Sequence, residues 1–236
     1  MMMVRPAEAR GHLDYGWLDT WHSFSFGQYY DPKFMGFRAL RVINEDFIAP
    51  DSGFPTHPHD NMEILTYVMS GTLSHTDSMG NASAIRAGEM QRMTAGTGVT
   101  HSEANLSPEE PVHLLQIWIL PETRGLTPGY EERMFSAQGA GVSLLASRDG
   151  RQGSLMLHQD LMLYAVRMKP GAEAVQALAP GRHAWVQVTR GRLALDGVEL
   201  KAGDGAAISE QEALRLKALT GEGEEGLAEA LLFDLN

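Results

Sequence analysis

HPHDNMEILTYVMSGTLSHTDSMGN, the stretch at residues 57–81, decides the fold that the sequence predicts. Its middle part, MEILTYVMSGTLSHT (62–76), is rich in β-branched and aromatic residues and is divided by Gly71. Its end, DSMGN (77–81), has the chemistry of a turn, because Gly80 and Asn81 tolerate a positive φ. The stretch therefore predicts antiparallel strands joined by tight turns.

The same pattern continues along the chain. Further strand signals are FRALRVI (37–43), VHLLQIWIL (112–120), SLLAS (143–147), MLYAVRM (162–168), AWVQVTRGRLAL (184–195) and ALLFDL (230–235). Residues 185–208 echo residues 64–93 as strand, Gly turn, strand and Ala-Gly, which indicates an imperfect internal repeat. We expect an all-β protein of two tandem barrels, 1–130 and 131–236, with a polar connector near 121–135. Two segments also fit a helix: the residues after Pro128, and QEALRLKAL (211–219).

Composition excludes several classes of partner. No cluster of Lys and Arg stands out against a formal net charge of −11, so direct binding to nucleic acid or an anionic membrane is not expected. The chain has no cysteine, so a bound metal would need His, Asp, Glu, backbone or water ligands. The N-terminal residues lack the apolar core of a secretory signal, and the run at 113–120 is too short to span a bilayer. These features predict a soluble, cytoplasmic protein.

Two pairs of residues carry the chemistry. His57 and His59 are separated by one residue, so on a strand both side chains leave the same face, and His101 and Glu103 repeat that spacing. Two neighbouring strands would thus present three imidazoles and one carboxylate to a common point. This ligand set suits Fe(II), Mn, Ni, Cu or Zn and leaves open positions for other ligands.

Spacing alone is weak evidence for such a site. A shuffled chain of this composition would hold about 0.3 His-x-His pairs. The same spacing also occurs at His12-x-Asp14, His75-x-Asp77 and His158-x-Asp160, for which we do not expect metal ligation.

The glycines around the two pairs strengthen the prediction. The first pair lies in Gly53-x3-His57-x-His59-x3-Glu63-x7-Gly71, and the second lies in Gly88-x7-Gly96-x-Gly98-x2-His101-x3-Asn105. These patterns resemble the two signature motifs of the cupin superfamily, although MTAGTGVTHSE (93–103) lacks the usual Pro of the second motif. This form of the second motif resembles that of the pirins. The resemblance to the pirins covers essentially the whole chain, since it also includes HPHDNMEILTYV (57–68), the aromatic segment 17–46, HQDLMLYAV (158–166) and LLFDLN (231–236).

The pirin resemblance implies two cupin barrels, each a jelly roll or double-stranded β-helix, of which the N-terminal one binds a single metal. Fe(II) is the expected ion, with Zn, Ni, Mn, Co and Cu as alternatives. Residue by residue, the ligands fall on His57, His59, His101 and Glu103. Glu63 is the alternative fourth ligand, four residues beyond His59, or it orients a ligand imidazole. In the second half, Gly181-Arg182-His183-Ala184-Trp185 holds a single His where we place the His pair, so no metal site is expected there.

The resemblance also implies a function. Some bacterial pirins are quercetin 2,3-dioxygenases, which open the central ring of a flavonol with O2 and release carbon monoxide, and this chain looks most like that group. The expected partners are a small aromatic, flavonol-like substrate and O2, with Glu103 or Glu63 taking the proton of the 3-hydroxyl. The alternative is a metal-binding regulator that acts through a protein partner.

Overall fold

Short strands make up most of the structure, a computed structural model that describes residues 1–135, 141–222 and 226–236. The first twelve strands are β1 (Met2–Arg5), β2 (Gly11–Asp14), β3 (Leu18–His22), β4 (Leu40–Ile48), β5 (Ser52–His59), β6 (Glu63–Ser70), β7 (Thr72–Asp77), β8 (Ala82–Arg86), β9 (Glu89–Thr94), β10 (Val99–Asn105), β11 (Val112–Ile119) and β12 (Gly129–Met134). The other ten are β13 (Gly141–Ser147), β14 (Leu155–Met156), β15 (Leu161–Met168), β16 (Glu173–Ala177), β17 (His183–Arg190), β18 (Arg192–Leu195), β19 (Val198–Lys201), β20 (Gly205–Ile208), β21 (Ala213–Thr220) and β22 (Ala228–Leu235). Single 3₁₀ turns occur at Ala7–Ala9 and Arg151–Gly153.

The strands form two compact units, each with a seven-stranded and a four-stranded sheet. In the first unit the sheet orders are β12-β9-β6-β11-β4-β3-β2 and β5-β10-β7-β8. In the second they are β1-β20-β17-β22-β15-β13-β14 and β16-β21-β18-β19. Each unit is therefore a two-sheet jelly-roll barrel of the cupin type, as the sequence predicted.

The two barrels place their strands in the same order, so β5, β6 and β10 of the first correspond to β16, β17 and β21 of the second. The internal repeat thus has a structural counterpart. In the first barrel β12 is the edge strand and pairs with β9. In the second barrel the corresponding edge strand is β1, which pairs with β20. The residues Leu157–Gln159 cluster with the first unit. The predicted boundary at residue 130 falls inside β12.

Both segments that also fitted a helix are strands, so the helical interpretation was wrong. Over 211–219, β21 buries Leu214, Leu216 and Ala218 and exposes the residues between them, because apolar residues at every second position match the strand period. The residues after Pro128 form β12, which pairs with β9 along its whole length. Among the described residues, no helix is long and apolar enough to cross a membrane.

The first barrel brings β5 and β10 unusually close at Gly53. A Cβ atom there would lie 2.3 Å from the carbonyl oxygen of Glu103 and 2.6 Å from the Cα of Ala104, both on β10. Gly53 pairs with Ala104 in the register that also sets His57 opposite His101. The glycine of the first motif is therefore needed for a close approach of two backbones rather than for a turn.

We expect Gly53→Ala to destabilise the protein by about 1 to 3 kcal/mol, because the extra methyl group forces β5 away from β10. Urea denaturation of the metal-free protein measures the change. Gly129→Ala is the matched control: its Cβ would meet only the flexible Arg92 guanidinium, at 3.3 Å. Equal stability losses in the two variants would contradict the close-approach explanation.

Candidate metal centre

Strands β5 and β10 bring three imidazoles together inside the first barrel. His101 pairs directly with His57, and Val99 pairs with His59, so all three rings project from one face of the sheet. The ring centroids of His57 and His101 are 4.4 Å apart, and that of His59 lies 4.8 and 4.9 Å from them. One ring nitrogen from each residue lies within 4.8 Å of the others.

The geometry of β5 follows from its position at the edge of the four-stranded sheet. An edge strand tolerates proline, which cannot donate to a ladder, and β5 contains Pro55 and Pro58. Between His101 and Glu103 the register slips, because Glu103 pairs with Phe54 and not with Pro55. The bulge leaves the Pro55 carbonyl free to accept a hydrogen bond from His57 Nδ1, at 2.8 Å. Because Nδ1 donates that bond, Nε2 is the His57 nitrogen whose lone pair is available to a metal.

The surroundings of His59 and His101 favour the neutral form of these two imidazoles. Burial, reinforced by the neighbouring His57, lowers the pKa of His59 to about 4 and that of His101 to about 3. Neutral imidazole is the form that binds a metal. His101 Nε2 is buried and has no hydrogen-bond partner among the described residues. An orphaned buried nitrogen beside two more imidazoles fits a divalent transition metal.

Glu103 lies on the wall of the same interior but is held by amide donors. Gln91 Nε2 and Gln116 Nε2 each donate to its carboxylate at 3.0 Å, and Thr66 Oγ1 lies 3.4 Å from it. Burial raises its pKa to about 7, against the lowering effect of the Gln116 hydrogen bond. Glu103 also belongs to a second group of close donor atoms, with His75 and His101.

The donors to Glu103 come from a polar row that crosses the seven-stranded sheet. Cross-strand pairing aligns His22, Asn44, Gln116, Thr66 and Gln91 on β3, β4, β11, β6 and β9. Neighbours in the row bond to one another: His22 to Asn44 at 2.7 Å, Thr66 to Gln116 at 3.1 Å and Gln91 to Thr66 at 2.9 Å. Side chains of the seven-stranded sheet thus hold the Glu103 carboxylate of the four-stranded sheet by hydrogen bonds.

Glu63 lies elsewhere in the barrel. Although only four residues separate it from His59, the two lie on different strands, because β5 ends at His59, Asn61 turns the chain with a φ of 48°, and β6 begins at Glu63. Ile64 lines the cavity described below, so its neighbour Glu63 points to the opposite face. There Glu63 Oε1 lies 3.3 Å from His158 Nδ1, and burial raises the pKa of Glu63.

A cavity of about 380 Å³ opens over the histidines. Its walls combine apolar and aromatic side chains with polar groups; they are formed by Phe26, Asn44, Asp46, Phe54, Pro55, His57, His59, Ile64, His101, Glu103, Gln116 and Trp118. A second cavity of about 280 Å³ shares Phe26, Asn44, Asp46 and Phe54 with the first and extends between Leu13, Trp17 and Leu18. The two cavities therefore adjoin at these four residues, and we call them the first and the second lobe.

Sequence reasoning missed several polar residues of this site. His75 was set aside as a spacing coincidence, yet its ring centroid lies 5.3 Å from that of His101. Asp46, with 4% of its surface exposed, accepts a hydrogen bond from Thr20 on the wall shared by both cavities. The available signal was alternation: Asn44 and Asp46 occupy every second position of β4 together with Leu40, Val42 and Ile48, which are apolar and buried.

The second barrel fills the corresponding space with hydrocarbon. Its counterparts of β5 and β10 are β16 and β21, and β21 turns Leu214, Leu216 and Ala218 into the core. The expected counterpart of the His pair was misplaced, since His183 begins β17, which corresponds to β6. His183 Nδ1 bonds to Ser209 Oγ at 2.7 Å. Both groups of metal-competent donors found among the described residues lie in the first barrel.

Two jelly-roll barrels in one chain, the first with an inward cluster of histidines, define a bicupin. Comparison with known proteins gives the family. Residues 3–119 match the pirin family model, and residues 144–235 match the model of the quercetinase C-terminal cupin domain. The chain belongs to the pirin family.

Relatives resemble this chain along its whole length. Quercetin 2,3-dioxygenase of Escherichia coli K12 is 50% identical over 235 residues, covering 100% of this chain and 99% of the relative. The crystal structure of YhhW from Escherichia coli matches with a TM-score of 0.95 and 50% identity, over 100% of this chain and 98% of that one. The bacterial pirin YhhW from the same organism, in complex with nickel(II), matches with a TM-score of 0.94 and 49% identity, over 100% and 99% of the two chains.

The buried Asp46 carboxyl generates a pH prediction for the metal-free protein. Burial raises its pKa from 3.8 to about 7, against the lowering effect of the Thr20 hydrogen bond. The folded protein therefore keeps a proton that the unfolded chain releases between about pH 4 and pH 7, so this group lowers stability as pH rises through that window.

Asp46→Asn removes this contribution. We expect the free energy of unfolding of the variant, minus that of the wild type, to increase by a few kcal/mol from pH 4 to pH 7 and to level off above, since one pKa unit corresponds to about 1.4 kcal/mol. Urea denaturation across this pH range measures it. The new amide can add a constant offset, so only the slope is diagnostic, and parallel curves for the two proteins would refute the prediction.

Proposed function

We propose that this protein is a metal-dependent dioxygenase of the quercetin 2,3-dioxygenase type, which cleaves a flavonol-like substrate with O2. The observation that carries the proposal is the cavity of about 380 Å³ whose wall includes all three clustered histidines. It combines a metal-competent donor set with apolar and aromatic walls, the lining that a planar aromatic ligand requires. The name of the Escherichia coli relative, 50% identical over the whole chain, agrees with this chemistry.

His57, His59, His101 and Glu103 would hold one divalent metal ion, with Fe(II) as the expected ion. The complex of a relative with nickel(II) supports a site of this type and adds Ni(II) as a suitable probe. When bound, the metal supplies Lewis acidity and a template for a chelating oxyanion and O2.

The protein's own residues would handle the substrate proton. Glu103 lies on the cavity wall, where it can accept the proton of the flavonol 3-hydroxyl, and Gln91 and Gln116 hold its carboxylate in place. Glu63 receives less support as the base, because its neighbour Ile64 and not Glu63 lines the cavity. The aromatic walls at Phe26, Phe54 and Trp118 would exclude water from the reacting ring.

The second lobe supports a substrate with more than one ring system. A flavonol has a fused bicycle and a pendant phenyl ring, and the second cavity extends past Phe54 toward Leu13 and Trp17. Asp46 and Asn44 stand where the lobes meet and offer hydrogen bonds to phenolic hydroxyl groups. A regulator that acts through a protein partner requires no such cavity, so the cavity favours the enzyme.

Protein loaded with Fe(II) or Ni(II) should consume quercetin under air, with loss of flavonol absorbance and release of carbon monoxide. His101→Ala should lose both bound metal and turnover, because it removes the one orphaned buried nitrogen of the cluster. Metal analysis by mass spectrometry and the absorbance assay measure the two effects. His12→Ala, which alters an exposed imidazole, is the control and should retain both.

Two results would count against the proposal. Full metal content in His101→Ala would remove the metal centre. Unchanged quercetin absorbance with metal loaded in the wild type would exclude the dioxygenase and leave the regulator.

Filling the second lobe should weaken binding of the pendant ring. Leu13 lines that lobe and takes no part in the first, so we expect Leu13→Trp to raise KM for quercetin about tenfold or more while metal content stays unchanged. A 3-hydroxychromone without the phenyl group should react equally well with wild type and variant. Leu13→Ala keeps the lobe open and serves as the control; equal effects of Leu13→Trp on both substrates would contradict a ring in this lobe.

A further inference from the structure

A row of three buried side chains extends away from the metal-facing histidine. Asp77 Oδ2 lies 3.2 Å from His75 Nε2, and His75 Nδ1 lies 3.5 Å from His101 Nδ1. The three residues have relative exposures of 8%, 1% and 2%, so water does not compete for these contacts. The row lies on β7 and β10, where His101 pairs with Asp77 and Glu103 pairs with His75.

The orientation of Asp77 is fixed by the turn that follows it. Its Oδ1 accepts hydrogen bonds from the backbone N–H groups of Met79 and Asn81, at 2.9 and 3.1 Å, and from Asn81 Nδ2 at 3.1 Å. Its Oδ2 accepts from Asn81 Nδ2 at 2.8 Å and faces His75. An ionised carboxylate can only accept, so the proton of the Asp77–His75 contact belongs to His75 Nε2.

That assignment determines the next one. A neutral imidazole carries one N–H, so a proton on His75 Nε2 leaves a lone pair on His75 Nδ1. This lone pair faces His101 Nδ1, which must then be the N–H donor of the contact. His101 Nε2 is left with a lone pair, and this is the buried atom that has no partner among the described residues.

We propose that Asp77 and His75 are positioning residues that hold His101 in the Nδ1–H tautomer, so that its Nε2 lone pair is aimed at the metal. The inference rests on the proposed metal centre and deepens it. Tyr130 stacks on the His75 ring, with centroids 4.9 Å apart and an interplanar angle of 23°, and this contact fixes the ring's rotation. A histidine ligand whose other nitrogen donates to a protein acceptor is a common arrangement in metal sites. Here the acceptor is a second histidine whose own tautomer is set by a carboxylate.

Asp77→Asn tests the chain of protons directly. The new amide oxygen stays with the backbone N–H groups of Met79 and Asn81 that now donate to Oδ1, and the Asn81 side-chain amide turns so that its oxygen accepts from the new NH2 group. The NH2 group then also faces His75 Nε2 and requires that nitrogen to accept. His75 then carries its proton on Nδ1, and His101 must move its proton to Nε2, which blocks the ligand atom. The variant thus inverts both tautomers while changing almost no volume.

Long-range ¹H–¹⁵N correlation spectra of the metal-free protein report which ring nitrogen is protonated. The wild type should show His101 protonated at Nδ1, and Asp77→Asn should show it protonated at Nε2. Titration calorimetry with Ni(II) should show affinity reduced about 10- to 100-fold in the variant, with one ion still bound per chain. Asp19→Asn, which breaks the exposed His12–Asp19 pair of 3.1 Å, is the matched control and should bind Ni(II) as the wild type does.

His75→Phe provides a second variant if Asp77→Asn does not fold. It keeps a ring against Tyr130 and removes the acceptor for His101, so weaker binding of one ion per chain is expected. Binding abolished as completely as in His101→Ala would make His75 a ligand and overturn the proposal. A wild-type His101 protonated at Nε2, or unchanged Ni(II) affinity in Asp77→Asn, would overturn it as well.

The two levels of the proposal fail in different ways. If His101→Ala retains its metal, the metal centre itself is wrong. If His101→Ala loses the metal while Asp77→Asn binds it normally, only the positioning role of Asp77 and His75 is refuted.

Discussion

The antiparallel pairing of β5 with β10 is the interaction on which the site depends. It sets His57 opposite His101 and places His59 two residues further along the same face, so that backbone hydrogen bonds, and not side-chain contacts, determine the distances between the rings. Because the side-chain period of a strand is two, a slip of one residue would send all three imidazoles to the other face. The close approach at Gly53 and the bulge at Pro55 both act on this register. The chemistry of the first barrel is therefore specified by a ladder of main-chain bonds.

The pairing also buries a carboxylate that needs hydrogen-bond donors, and the seven-stranded sheet supplies them. It turns the Glu103 carboxylate into a barrel interior, where an unpartnered charge is costly. The polar row on the seven-stranded sheet, with Gln91, Thr66 and Gln116 in register, supplies the donors. On the four-stranded sheet, His101 contacts His75, which in turn contacts Asp77. Glu103, His101 and Asp46 thus have their hydrogen-bond partners on other strands, which explains why so many polar residues are buried near one cavity.

The sequence was sufficient to predict what local patterns govern. Alternation and glycine turns predicted two β barrels, and the family motif brought His57, His59 and His101 to one place. The sequence was insufficient where contacts between distant strands determine the type of element or the neighbours of a residue. QEALRLKAL fits the helix period and the strand period equally well, and only its burial in the second barrel identifies it as a strand. Glu63 follows His59 by four residues but belongs to the next strand. His75 has the same spacing to Asp77 as other His-x-Asp pairs of the chain, and only the pairing of β7 with β10 shows that it lies beside His101.

The second barrel separates the contribution of the fold from that of the side chains. Its sheets have the same strand order, yet its counterpart of β10 carries Leu214, Leu216 and Ala218 at the inward positions. Ala184, Val186 and Val188 of β17, the counterpart of β6, pack into the same core. Among its described residues this barrel has no group of metal-competent donors, and its hydrocarbon core contributes stability that a cavity lined by polar groups does not. One architecture thus supports a site in one copy and a solid core in the other, because function depends on which side chains occupy the inward positions of two strands.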